Sequence, residues 1–251
     1  MSEQRSPPVS FVTVTHDAYL FARLLIEKIR EFVGNRDYEI VVVDRGSGRQ
    51  LRAWLRAQPD VRVITLRQWR RRGHGHGEAG EAGAAAARHQ RIVLLDSDAH
   101  PIAADWLRET ADKLDAQHRL AGAVFGGRHR GNPHGWYVHP HFMAFFKADL
   151  NRLIVLRKLR GDDTDTGEEA TIRVLAAGHR IIGLPIAHYP PLSVGNPRVP
   201  TVAGGVFHAW YVTRLEQNEP EVVRETAGEI TGANYLEPLK AKLRAIYRLS
   251  Y

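Results

Sequence analysis

The sequence contains no cysteine, which excludes both disulfides and thiolate metal sites. No apolar run approaches the roughly 20 residues that a membrane-spanning helix needs, so an integral helical membrane protein is excluded. Two nucleotide signatures are also missing. No G-x-G-x-x-G follows the first apolar run, and no Walker lysine loop occurs anywhere. Phosphates are therefore not cradled in the dinucleotide or P-loop manner. Zinc-finger, RNP-type and basic-zipper patterns are absent despite a formal net charge of +7. Apart from RQWRRR (Arg67 to Arg72) the basic residues are scattered, so nucleic acid is not the expected partner. A positive surface suits other polyanions, including a nucleotide diphosphate or an anionic membrane. The N-terminal MSEQRSPPVS lacks the apolar core of a secretory signal, and a cytoplasmic protein is the expectation.

What is present is alternation. SFVTVTHD, YEIVVVD, VRVITL and RIVLLD read as buried strands, short and β-branched and each ending in polar residues. Between them, AYLFARLLIEKIREFV and RQLRAWLRAQ carry apolar residues at helical spacing. EAGEAGAAAARH reads as a helix whose small residues permit close packing on a sheet. PIAADWLRETADKLDAQ predicts a further helix with Pro101 in its first turn. This pattern predicts an α/β fold with a mostly parallel central sheet and flanking helices.

Beyond Leu120 the regularity fades. AGAVFGG, HFMAFF and RIIGLPI predict strands, EEATIRVLAAG a helix ended by Gly178, and the C-terminal segment further helices. The expectation is one domain over residues 1–251. Residues 9–115 form a nucleotide-binding half and 116–251 an acceptor-binding half that shares the same core.

In an open parallel sheet, ligands bind beyond the carboxyl ends of the strands. Three predicted strands end there in acids: Asp17, Asp44, and Asp96 with Asp98. One such aspartate is an ordinary turn former or helix cap. Three together make an anionic edge whose repulsion a bound cation would relieve, and a hard ion can bridge carboxylates to diphosphate oxygens.

VVVDRGSG and LLDSDAHP, in this order after SFVTVTHD, resemble glycosyltransferases of the GT-A fold, in particular the family-two-like group. HGEAGEAGAAAARH is similar to the helix before the D-x-D strand of that group. The resemblance covers residues 9–115 closely and the rest loosely. It implies transfer of a sugar from a nucleoside-diphosphate donor to an acceptor hydroxyl, inverting the anomeric centre, with Mg2+ or Mn2+ as cofactor. It implies nucleotide contacts from Thr15, His16, Asp17, Asp44, Arg45, His76, Gly77, Asp96 and Ser97. Asp98 is implied as a direct metal ligand, with Asp96 on the ribose or the ion's water shell. Arg45 departs from the usual smaller residue and either meets the diphosphate or faces solvent.

The same resemblance looks for a general base before the helix of the second half. The usual Glu-Asp doublet is replaced here by DTGEE, so Asp165 is the expected base, with Glu168 and Glu169 as rivals that could equally cap the helix. His208, in GGVFHAWYVTR, either completes the metal shell or packs among aromatics. Gly204 and Gly205 would let that loop close over the donor. Trp136, His141 and Trp210 are expected at the acceptor, with core packing as the alternative. LKAKLRAIYRL, basic and amphipathic, docks on the core or rests peripherally on an anionic membrane. A nucleotidyltransferase and a non-catalytic nucleotide- or nucleic-acid-binding module are the alternative functions.

Overall fold

The computed structural model describes residues 6–66, 75–126, 132–157, 165–188 and 201–208. The basic run, Trp210 and the C-terminal helices expected from the sequence lie outside these residues.

Strand β1 (Val9–Thr15) is buried along its whole length and leads into α1 (Tyr19–Phe32). β2 (Tyr38–Asp44), α2 (Arg49–Arg56), β3 (Val61–Thr65), α3 (His76–Ala86) and β4 (Arg91–Asp96) complete the alternation. After the short β5 (Ala99–Pro101) come β6 (His118–Gly126), β7 (Trp136–Phe146), α4 (Glu168–Ala176) and β8 (Arg180–Leu184). Three further short strands follow: β9 (Ala187–His188), β10 (Thr201–Ala203) and β11 (Val206–His208).

The main sheet has the order β3-β2-β1-β4-β7-β6-β8. Strands β1 to β4 are parallel, while β7 runs antiparallel to both β4 and β6. Strand order reverses at β1, between β2 and β4, which is where a ligand crevice forms in such a sheet. The halves expected on either side of residue 115 share this sheet. One core cluster joins Phe11, Val42 and Leu95 to Ala121, Phe142 and Ala144.

Helix α3 lies close on the other face of the sheet. A Cβ on Gly83 would stand 2.5 Å from Val12 Cγ1 and 2.8 Å from Val43 Cγ2. Its N-terminus is equally tight, because a Cβ on Gly77 would meet the Leu156 carbonyl oxygen at 2.3 Å. Glu81 fixes this junction by accepting the backbone N–H of Leu156 at 2.8 Å and pairing with Arg157 at 2.6 Å.

The helix expected from Pro101 does not form. Residues 99–101 instead become β5, an edge strand paired antiparallel with β11 in a small second sheet ordered β5-β11-β10-β9. Proline is tolerated at such an edge, where its missing N–H is not needed. The following residues make successive turns and a 3-10 helix at Ala111–Lys113. Trp106 drives this path. Its ring stacks on Phe11 at 5.5 Å, its indole N–H donates to the Phe32 carbonyl at 3.1 Å, and it is fully buried.

Gly204 and Gly205 form the two-residue turn between β10 and β11, both at positive φ (52° and 76°) as a tight hairpin requires. A Cβ on Gly205 would press on Ala103 at 3.0 Å, so the turn is packed down. No helix among the described residues is long and apolar enough to cross a membrane.

Candidate active site

Parallel register sets the first part of the site. Thr15 is paired with Asp44, and Val14 with Asp96, so the ends of β1, β2 and β4 sit side by side. Asp44 is fully buried. Its Oδ1 accepts the Ser47 N–H at 2.7 Å, while Oδ2 has no hydrogen-bond partner among the described residues, and neither has Thr15 Oγ1. A buried carboxylate oxygen without a donor is costly, and a ligand N–H would satisfy it.

Asp17 has a different role from Asp44. It is exposed, sits at φ 55°, and its Oδ1 takes the N–H of Gly48, the residue that caps α2. Its own N–H donates to Ser47 Oγ at 3.0 Å. Asp17 therefore pins the Gly/Ser turn after β2. His16 is half-buried beside it.

At the end of β4 the chain turns through buried Ser97 and Asp98 into β5. The β5–β11 pairing places His208 opposite Ala99, next to Asp98. His208 Nε2 is 3.3 Å from Asp98 Oδ1 and 3.7 Å from Asp96 Oδ2. One ligand atom from each of these three residues lies within 4.8 Å of the others, so the group could hold a metal ion. The spacing is suitable, since donors bonded at about 2.1 Å around an octahedral ion stand about 3 Å apart. Two carboxylate oxygens and one imidazole nitrogen suit Mn2+, with Mg2+ the harder alternative.

The other oxygen of Asp96 is engaged by His76, the first residue of α3, at 2.9 Å. Burial alone would push the Asp96 carboxyl up, but His76, His208 and His139 outweigh it and hold it well below the usual range. His76 moves the opposite way. Burial opposes its charge, yet Asp96 and, more weakly, Asp98 raise its pKa against the pull of Arg45. Arg45 is half-buried, and that burial lowers its pKa while Glu78 partly restores it. Arg45 thus lies on the site side of the β2–α2 loop. Gly77 directs its Cα toward the Leu156 backbone, so its clearest role is helix packing.

The second carboxylate group sits at the start of α4. Glu168 is fully buried; it accepts from Asn132 Nδ2 at 2.8 Å and from the Asp165 N–H at 3.0 Å. Glu169 is buried and paired with Arg173 at 2.7 Å. Both are held by neighbours in the manner of helix-start acids. Asp165 remains half-exposed, with Thr166 N–H on one oxygen at 2.7 Å and the Tyr137 hydroxyl on the other at 2.9 Å.

Residues 10–176 match glycosyl transferase family 2. The chain belongs to that family. Among solved structures, the mannosyltransferase PcManGT from Pyrobaculum calidifontis, in complex with GDP-Man and Mn2+, aligns with a TM-score of 0.57 at 20% identity. That alignment covers 97% of this chain and 69% of the other. An active-site mutant of LgtC aligns with a TM-score of 0.51 at 13% identity, covering 84% and 95% of the two chains. Glucosyl-3-phosphoglycerate synthase from Mycobacterium tuberculosis, with Mn2+, UDP and glucosyl-3-phosphoglycerate, gives 0.50 at 19% identity over 71% and 70%. The mixed α/β fold of this family 2 member is accordingly the GT-A type.

The sequence expectations assigned His141, in the histidine-rich segment that also carries His139, to an acceptor. In the structure His141 is fully buried, with its ring stacked flat on His208 at 4.3 Å and 7°. It buttresses the triad. Burial, His208 and His139 together hold its pKa well below the ordinary histidine value. Burial together with His208 and His76 brings His139 down to about 4 against the pull of Asp96 and Asp165. His139 is half-buried and senses both carboxylate groups. The period-2 spacing in Y-V-H-P-H carried this signal, since it puts Tyr137, His139 and His141 on one strand face. Trp136 is half-buried at the start of β7 with its carbonyl taken by Asn132.

Proposed function

We propose that this glycosyltransferase moves a sugar from a nucleoside-diphosphate donor to an acceptor hydroxyl, with inversion and a divalent cation at Asp96, Asp98 and His208. The observation that carries the reading is the convergence of this triad with the buried Asp44 at the carboxyl ends of adjacent strands. Asp44 Oδ2 is the acceptor for a ring N–H of the base, which uracil, thymine and guanine offer and adenine and cytosine do not. The fold neighbours solved with GDP-Man and with UDP support a donor of this kind. Thr15 and His16 line the nucleoside, Asp17 holds the turn that presents Asp44, and Asp96 and Ser97 face the ribose side. Arg45 and His76 lend positive charge near the diphosphate.

Asp165 is the general base. The hydrogen bonds from Thr166 and Tyr137 orient its carboxylate, and each oxygen retains a lone pair for the acceptor O–H. In a single displacement the acceptor proton passes to Asp165 as the acceptor oxygen bonds to the anomeric carbon. The bond from that carbon to the diphosphate breaks, and its electron pair leaves on the diphosphate oxygen. When bound, the cation offsets that developing negative charge. The acceptor approaches from the side of Trp136.

Hydrolysis of UDP-, dTDP-, GDP-, ADP- and CDP-sugars with and without Mn2+ tests the reading. Release of sugar from one of the first three, abolished by chelator and by Asp98→Ala, is expected. Silence across the panel combined with tight oligonucleotide binding would overturn it.

A further inference from the structure

A continuous row of rings joins the two carboxylate centres. Tyr137, His139 and His141 alternate along β7, with successive ring centroids 5.8 Å and 4.9 Å apart. Beyond His141 the row ends on His208, and at its other end the Tyr137 hydroxyl holds Asp165 at 2.9 Å. The row therefore floors the space between the cation triad and the base. Tyr137, His141 and His208 are buried within it, while His139 is partly open.

Local hydrogen bonding sets the tautomer of His139. The His141 backbone N–H donates to His139 Nδ1 at 3.2 Å, and a nitrogen that accepts from an amide carries no proton. The 2.8 Å contact between the two Nδ1 atoms then has His141 as the donor. The ring proton of His139 accordingly sits on Nε2, on the side away from its Nδ1 anchor. Phe125, with its ring centroid at 5.6 Å, packs against the same imidazole.

In a direct displacement the transferred sugar lies between the leaving oxygen and the attacking oxygen. A residue midway between the cation triad and the base therefore faces that sugar. We propose that His139 contacts the substrate directly, its Nε2–H donating to a hydroxyl oxygen of the sugar being transferred. The inference rests on the donor-transfer reading above.

The test compares wild type, His139→Ala and His139→Gln by calorimetric titration with Mn2+, using the nucleoside diphosphate and the sugar nucleotide that the hydrolysis panel selects. Hydrolysis kcat/KM is measured alongside, and thermal melts control for folding. All three proteins should bind the diphosphate within about twofold. His139→Ala should lose about five- to tenfold in sugar-nucleotide affinity or kcat/KM, the scale of one hydrogen bond. His139→Gln, whose amide N–H can replace the ring donor, should recover part of it. Unchanged sugar-nucleotide behaviour in His139→Ala overturns the proposal. Equal loss for the bare diphosphate also overturns it, because the ring would then act through His208. A wild type that hydrolyses nothing in the panel counts against the donor-transfer reading and not against His139.

Discussion

Protonation of His100 should unfasten the strand that carries the metal-site histidine. His100 lies in β5, paired with Phe207 of β11, and is 1% exposed with its ring 5.2 Å from the Phe207 ring. Burial, reinforced by Lys28 and His208, lowers its pKa from the ordinary 6.5 to about 3. Because the folded value is the lower, the unfolded chain takes up the proton first as pH falls. Stability then drops by about 1.4 kcal/mol per pH unit well inside that window. Between pH 6.5 and about pH 4.5, with the curve rounding off at the upper end, this one residue should remove about 2 kcal/mol. His100→Gln keeps a neutral polar group at the position and abolishes that titration. Urea unfolding of both proteins at the two pH values, in chelator so that cation binding does not change, measures the difference. His139 and His141 titrate with the same sign in both proteins and cancel in the comparison. If wild type and His100→Gln lose stability in parallel, the buried neutral state assigned to His100 is wrong.

Asp165→Asn should lower transfer by about 10²- to 10⁴-fold, the usual contribution of a general base, while leaving nucleoside-diphosphate affinity intact. Near-normal turnover in that variant would move the role to another group. Gly83→Ala should cost about 1–3 kcal/mol in urea unfolding, because its methyl would overlap Val12 and Val43 beneath α3. A neutral result there would mean that α3 can lift from the sheet without penalty.

The first half was legible because its signals are local. Strands β1 to β4 are β-branched runs that announce themselves within a few residues, and RIVLLD coincides with β4. The glycine and alanine face of α3 likewise foretold close packing, which Gly83 realises. Local reasoning failed at PIAADWLRETADKLDAQ, where the helical spacing gave way to turns around Trp106, directly after a three-residue strand that ends at Pro101. Runs that short have no readable period. β5 exists only because β11 arrives to pair with it, and no nearby residue advertises that partner.

That failure bears directly on the chemistry. Asp96 and Asp98 could be read as a turn or as an ion site, and the order of the motifs before them favoured the ion. The register that aligns His208 with Ala99 brings an imidazole within 3.3 Å of Asp98, so the third donor of the triad depends on a short strand that local sequence did not announce. The acids proposed as the base show the reverse relation. Three acids were candidates near α4, and ordinary helix-start chemistry accounts for two of them: Glu168 is tied to Asn132 and the Asp165 N–H, and Glu169 to Arg173. What singles out Asp165 is its partial exposure and its link through Tyr137 to the ring row on β7. The two centres are thus coupled through side chains on one strand face. A substitution at His141, fully buried and touching no substrate in this scheme, should therefore disturb cation binding through the His208 stack before it disturbs the base.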